Sequence, residues 1–316
     1  MKEKIIIAGG SGFLGRTLAA WFAPQGHEVV ILTRYPSPTC PHGREVGWDG
    51  RTLGPWTSEL ANATTLINLA GVSVDCRYTT KNRQLIMDSR IHSTRILGVA
   101  LAHSPTPPRV WLNASTATIY KHTYDRPMDE NGEIAATPEA KDAFSIEVAT
   151  AWENEFNAAK TPHTRKVTLR TAMVLGDGPN SVFPVMRRMI RLGLGGQMSH
   201  GRQYMSWIHE VDFCRAIEWL IAHENFRGIV NLAAPNPLPN TEMMRLFREV
   251  CGAPFGLPAT AWMLELGAFF LRTETELIIK SRRVVPGRLL REGFEFKFKD
   301  VRIALEDLER TVKDKT

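Results

Sequence analysis

Cysteine is scarce in this chain: Cys40, Cys76, Cys214 and Cys251 are four in 316 residues, and no two form a CxxC pair. That excludes a disulfide-stapled scaffold and fits a reducing, cytoplasmic compartment. Long hydrophobic runs are missing too. Ile5-Ile6-Ile7 is too short for the apolar centre of a signal peptide. The greasiest stretch, Leu257 to Leu271, carries Glu265 and falls short of the roughly 20 apolar residues that span a bilayer. Charge of one sign is also lacking. Thirty-nine Lys and Arg face 33 Asp and Glu, a net +6 spread thinly, densest at Arg187, Arg188 and Arg191 and between Arg282 and Arg302. Without a clustered basic face or a reader motif, a nucleic-acid partner is not expected. The local positive charge suits an anionic small molecule better, and no metal site is expected.

What is present is ordinary globular material, 43% hydrophobic and 23% charged. The length allows one large α/β domain with an appendage. Short apolar runs alternate with helical periodicity, the pattern of a parallel sheet covered by helices. Strands are expected at Lys4–Ala8, Glu28–Leu32, Thr65–Leu69, Val110–Ala114, Lys166–Arg170 and Ile229–Leu232. Helices are expected at Leu14–Ala23, Thr80–His103, Ser145–Ala159 and Thr241–Cys251. After Cys251 the character changes to an apolar helix, Trp262–Leu271, and a basic strand-like end, Phe294 to Phe298.

The strongest motif is Gly9-Gly10-Ser11-Gly12-Phe13-Leu14-Gly15, set between the first strand and the first helix. Glycine permits backbone angles closed to other residues and lets a pyrophosphate approach bare backbone, while the helix start offers free N–H groups to the anion. The second strand ends Thr33-Arg34, where an NAD site carries a carboxylate for the ribose 2′-hydroxyl. A guanidinium there favours a 2′-phosphate, so NADP(H) is the expected cofactor, with Arg16 a second candidate cation. Leu69, Ala70 and Gly71 end the next strand and let the chain pass close to the nucleotide.

With these motifs the chain resembles an extended short-chain dehydrogenase/reductase. More narrowly it is similar to the epimerase-family group that pairs a Rossmann domain with a small C-terminal domain. The resemblance runs nearly end to end. It includes Asn68 to Gly71, Asp88-Ser89-Arg90, Ser115 to Tyr120, Arg170 to Gly176, Leu192 to Gly196, Gly201 to His209, Asn231 to Pro237 and Pro286 to Phe298. It implies an α/β, Rossmann-like doubly wound parallel sheet at 1–178 and 205–250, with a substrate-side C-terminal subdomain at 179–204 and 251–316.

By position the resemblance makes Thr116 the hydroxyl that bonds the substrate oxygen, with Ser115 and Arg90 beside the cofactor. Thr171 and Met173 come where relatives pass the nicotinamide, and Arg202, Tyr204, Trp207 and His209 on the substrate side. Relatives also use a Tyr with a Lys four residues on. Here Phe144 and Val148 stand in that segment, and no Tyr is followed by Lys at that spacing. Tyr120 is the replacement acid expected, with Lys121, His122, Tyr124, Glu147 and His209 as other candidates. Arg90 departs as well, standing where many relatives have Asn. Two functions follow: an NADP(H)-dependent oxidoreductase or epimerase, monomeric or dimeric, on an unknown small molecule; or a non-catalytic NADPH sensor, which the missing Tyr–Lys pair favours.

Overall fold

The computed structural model describes residues 2–260, 262–263 and 274–314. The strands in chain order are β1 (Lys4–Ala8), β2 (Glu28–Thr33), β3 (Arg44–Gly47), β4 (Thr65–Asn68), β5 (Val110–Thr116) and β6 (Arg165–Thr171). The short β7 (Met173–Leu175), β8 (Tyr204–Met205) and β9 (Trp207–His209) come next, then β10 (Gly228–Leu232) and β11 (Leu238–Pro239). Seven of them form one sheet in the order β10-β6-β5-β4-β1-β2-β3, with every pairing parallel. The chain order turns back between β1 and β4, which opens a crevice at the carboxyl ends of the strands.

Alternation along the strands feeds two cores. Ile5, Ile7, Val29 and Ile31 point to one face and Ile6, Ala8, Val30 and Leu32 to the other. The first face is covered by α1 (Phe13–Phe22) and α5 (Glu210–Ala222), the second by α2 (Thr80–His103) and α3 (Ala143–Ala158). Helix α2 starts where the Thr79 side chain accepts the Asn82 N–H, a normal N-cap. A separate core joins α4 (Val182–Arg191), α6 (Asn240–Cys251) and the C-terminal helix (Val301–Asp314). Of the basic cluster on α4, Arg187 and Arg191 both bind the buried carboxylate of Glu309 on that last helix.

The strand-like end at Phe294 to Phe298 is not a strand. Phe294 and Phe296 put their rings into the core beside α5, centroids 4.8 Å apart, and the Asp212 carboxylate accepts the N–H groups of Lys297 and Phe298. A side chain does the work of a strand partner, so alternating aromatics mimic a β pattern. Of the expected helix Trp262–Leu271, only residues 262–263 are described and the remainder lies outside the described residues. Strand β3, α4 and the C-terminal helix are elements the sequence pattern did not separate. No described helix is long and apolar enough to cross a membrane.

Candidate functional site

The glycine turn sits at the crevice. Gly9 holds φ +74°, and a Cβ there would come within 2.7 Å of the Ala70 Cα. A Cβ on Gly15 would lie 2.3 Å from the Gly10 Cα. These two glycines are required by packing. Gly12 differs: the nearest atom to its Cβ position is the Gly9 carbonyl oxygen at 3.9 Å. It is also the N-cap of α1, with no side chain capping the helix and no acidic residue in the first turn. The first-turn N–H groups therefore face the crevice as an anion cradle, and these residues fit a dinucleotide diphosphate. Ser11 is exposed on the turn, and Phe13 packs its ring edge against the Gly176 and Gly178 positions, with Leu14 behind it in the core. Asn68 ties the neighbouring strand end, bonding the Asn113 side chain at 2.7 Å and the Ala70 N–H at 3.1 Å.

Two cations frame this cradle. Arg34 is exposed at the end of β2, with its guanidinium 5.9 Å from the Tyr35 ring and no carboxylate partner among the described residues. It lines a 560 Å³ cavity with Trp48, Asp49, Leu53 and Trp56. The Asp49 carboxylate is turned onto its own loop, bonding Thr52 and the Arg51 N–H. Arg90 lies against Gly71, whose Cβ position is 3.1 Å from its guanidinium carbon. Its Nη1 donates to the carbonyls of Val72 and Ile86, and its face covers Trp152. Burial without a carboxylate partner among the described residues pulls its pKa down to about 10. Arg16 lines a different cavity of 410 Å³ beside α1, with Asp177 and Glu210.

The residues that the sequence marks for the reaction lie at the ends of β5 and β6. Thr116 ends β5 opposite Thr171 and is half-buried, its Oγ1 accepting the Thr118 N–H at 3.1 Å. Beneath it the Ser115 hydroxyl donates to Glu153 at 2.6 Å, and Glu153 takes Arg170 in a bidentate pair with both distances 2.8 Å. Thr171 is half-buried, and Met173 begins β7 with its N–H on the Ser206 carbonyl.

Several expected site residues are elsewhere. Tyr120 is 2% exposed; its hydroxyl donates to Asn231 at 2.8 Å while Arg170 covers its ring, and burial pushes the phenol up to about 12. It belongs to the core beneath the cleft rather than to its surface. Trp207 is fully buried with its indole N–H on the Asn236 carbonyl. His209 is also buried: Nδ1 caps α5 by accepting the Val211 N–H, and the ring stacks on Phe298 at 3.9 Å. Burial lowers its pKa to about 4, so it is neutral at working pH and no general base near pH 7.

Arg202 and Tyr204 stay on the open side. Arg202 lies over the Tyr124 ring at 5.7 Å, and the Tyr124 hydroxyl meets His200 Nε2 at 2.9 Å. His122 is buried, its Nδ1 accepting the Ser281 N–H. Lys121 is held by Glu133, and Glu147 is exposed on α3.

Phe144 and Val148 face α2 and the loop before it, packed with Ile86, Val74, Cys76, Tyr78 and Met87. Around them stand Tyr78 ahead of α2 and Arg83 on α2, both against the Phe144 ring, Ser145 beside Phe144 on α3, and Glu276 from the C-terminal part, which accepts the Ser145 hydroxyl. Sequence reasoning missed this group because its members are about 70 to 130 residues apart. The local signal was a pair of acids, Glu274 and Glu276, separated from Lys280 and Arg282 by the short apolar run of residues 277–279.

The model of the NAD dependent epimerase/dehydratase family matches residues 5–233. The chain belongs to that family. A domain of unknown function, DUF1731, matches residues 259–308. The epimerase family protein YfhF of Bacillus subtilis is 30% identical over 313 residues, covering 96% of this chain and 97% of that one. The epimerase family protein ML0860 of Mycobacterium leprae is 31% identical over 298 residues, 93% of this chain and 92% of its own. Among solved structures, the human epimerase family protein SDR39U1 with NADPH superposes with a TM-score of 0.85 at 25% identity. That match covers 97% of this chain and 99% of the human one. Membership accounts for the parallel sheet and the glycine turn, and the separate DUF1731 match falls on the segment that carries Glu276 and Lys280.

Proposed function

We propose that this member of the family is an NADP(H)-dependent oxidoreductase or epimerase of the extended short-chain class, acting on a small anionic substrate. The observation that carries the reading is the charge of the nucleotide end. An exposed arginine takes the place of the usual ribose carboxylate, and a second, half-buried arginine has no carboxylate partner among the described residues. An anionic cofactor with an extra phosphate compensates both. The human relative solved with NADPH supports the same choice.

In this reading Gly9, Ser11, Gly12, Phe13 and Leu14 cradle the diphosphate, Arg34 holds the 2′-phosphate, and Leu69, Ala70, Gly71 and Arg90 line its path. Thr171, Met173 and the backbone of Ser115 border the nicotinamide ribose. The bound nicotinamide supplies or accepts a hydride. Thr116 orients the substrate oxygen, and Arg202 with Tyr204 faces the anionic part of the substrate. We assign 179–204 and 251–316 to the substrate side of the molecule.

A fluorescence titration with NADPH and NADH tests the cofactor. NADPH is expected to bind at least tenfold tighter, about 1.4 kcal/mol, and Arg34→Ala to erase that gap. Equal affinities in the unchanged protein overturn it. Absorbance at 340 nm across sugar nucleotides, carbonyls and quinones then tests turnover. Tight NADPH binding without any change across that panel favours the sensor.

A further inference from the structure

Two stretches of the chain carry no acid: residues 178–209, which hold four arginines, and residues 250–264, which hold no charged side chain at all. The fold lays them side by side. The Leu257 N–H donates to the Gly193 carbonyl at 2.8 Å, and the Gly196 N–H to the Leu257 carbonyl at 3.2 Å. The pairing continues from the Ala259 N–H to the Gln197 carbonyl and from the Ser199 N–H to the Ala259 carbonyl. A Cβ on Gly196 would lie 2.4 Å from the Leu257 carbonyl carbon, and one on Gly256 2.5 Å from that of Gly195. The two backbones therefore touch where only glycine fits, and the paired segments hold each other in place.

Held this way, bulky apolar side chains stand out in solvent. Leu192 is 67% exposed, Phe255 62%, Leu257 58% and Leu194 47%. Val185 on α4 is 57% exposed and lies two turns before Leu192, so it continues the same face. Single exposed leucines are ordinary, whereas a contiguous group marks a contact surface. None of these side chains lines the cavities at Arg34 and Arg16. The border of the group is basic. Arg188 is exposed on α4 with no carboxylate partner among the described residues, and Arg187, Arg191 and Lys313 all share the one carboxylate of Glu309.

We propose that this patch docks on an anionic lipid surface, with Leu192, Leu194, Phe255 and Leu257 entering the boundary between headgroups and acyl chains and Arg188 meeting the headgroup phosphates. Charge selects this occupant. An apolar face bordered by arginine and free of acid is matched by a layer that offers apolar chains beneath a negative surface. A second copy of the chain is mismatched. A two-fold contact sets the patch against itself, Arg188 facing like charge with no acid from either segment. The side chains also project from a helix face and two loops, which suits insertion into an interface and forms no groove for a peptide helix. The contact lies on the bilayer and does not span it, as no described helix is long and apolar enough to cross. It is independent of the cofactor reading, because no residue of the nucleotide cradle takes part.

Flotation of the full chain with vesicles tests this, using phosphatidylcholine alone and phosphatidylcholine mixed with phosphatidylglycerol at one salt concentration. Binding to the anionic vesicles is expected to be roughly tenfold tighter. Arg188→Glu should weaken that binding roughly fivefold and leave the neutral vesicles unaffected. Leu194→Ser combined with Leu257→Ser should weaken binding to the anionic vesicles at least tenfold. All three positions are exposed, so near-UV circular dichroism and the thermal unfolding midpoint should match the unchanged protein, which separates lost docking from lost fold. Absence of flotation with the anionic vesicles overturns the proposal, as does flotation indifferent to Arg188→Glu and to the serine pair. A dimer in sedimentation that the serine pair dissociates, with no vesicle binding, also overturns it and makes the occupant a second copy.

Discussion

At the nucleotide end of the cleft, the groups proposed to hold the cofactor belong to residues 9–90 and offer it largely backbone: a glycine turn, a bare helix start, two strand ends and two arginines. At the end proposed for the reaction the parts come from residues 115, 116, 153 and 170 and work through side chains, most of them buried. The contrast follows from what each end must do. Holding a diphosphate needs aligned N–H groups, which one strand–turn–helix unit supplies. Placing a proton donor needs a side chain in a dry, defined geometry, which takes several packed elements.

The sharpest way to break this comparison is to cut the side-chain network. Glu153→Ala leaves the Arg170 guanidinium buried and uncompensated, and should cost about 3–5 kcal/mol in urea unfolding. A loss under 1 kcal/mol would mean that the reaction end is not held by this pair. Acid reaches another buried side chain, on the opposite face of the sheet. His209 has a folded pKa of about 4 against 6.5 unfolded, so the unfolded chain binds the extra proton between those values. Stability should therefore fall as pH drops from 6.5 towards 4, by roughly 3 kcal/mol at most from this group, and His209→Asn should flatten that slope.

Smaller effects separate folding from binding. Tyr120→Phe strands the buried Asn231 carbonyl oxygen and should cost about 2 kcal/mol of stability, leaving the NADPH Kd within twofold. A large affinity loss would instead put that phenol in the cleft. Gly12→Ala should do the reverse. Its Cβ has room in the fold, so the expected change in unfolding free energy is within about 0.5 kcal/mol, while NADPH affinity falls at least tenfold. If both quantities fell together, the turn would be a packing feature and not a cradle.

Local pattern carried much of the fold. Lys4–Ala8, Val110 and the strands beside them declare themselves because each is buried on both faces, as a parallel sheet requires. The misreadings came where a pattern had two physical causes. Alternating Phe294, Phe296 and Phe298 has the period of a strand, but the carboxylate of Asp212 takes the N–H groups a sheet would have taken. Tyr120, Trp207 and His209 carry chemistry-bearing side chains near the motif residues, and burial turns all three into core. Neither outcome is encoded within a window of ten residues.

The sequence by itself determined the parallel α/β sheet, the glycine turn and the arginine at the end of the second strand, since these depend on residues adjacent in the chain or on strict periodicity. Only the tertiary structure decided which polar side chains are wet and which are sealed. It also decided that Ser145 meets Glu276 and that Asp142 meets Lys280, across more than 130 residues of chain in each case. The physical reason is that desolvation and hydrogen-bond partnership belong to neighbours in space, and here those neighbours are brought together by the packing of distant segments.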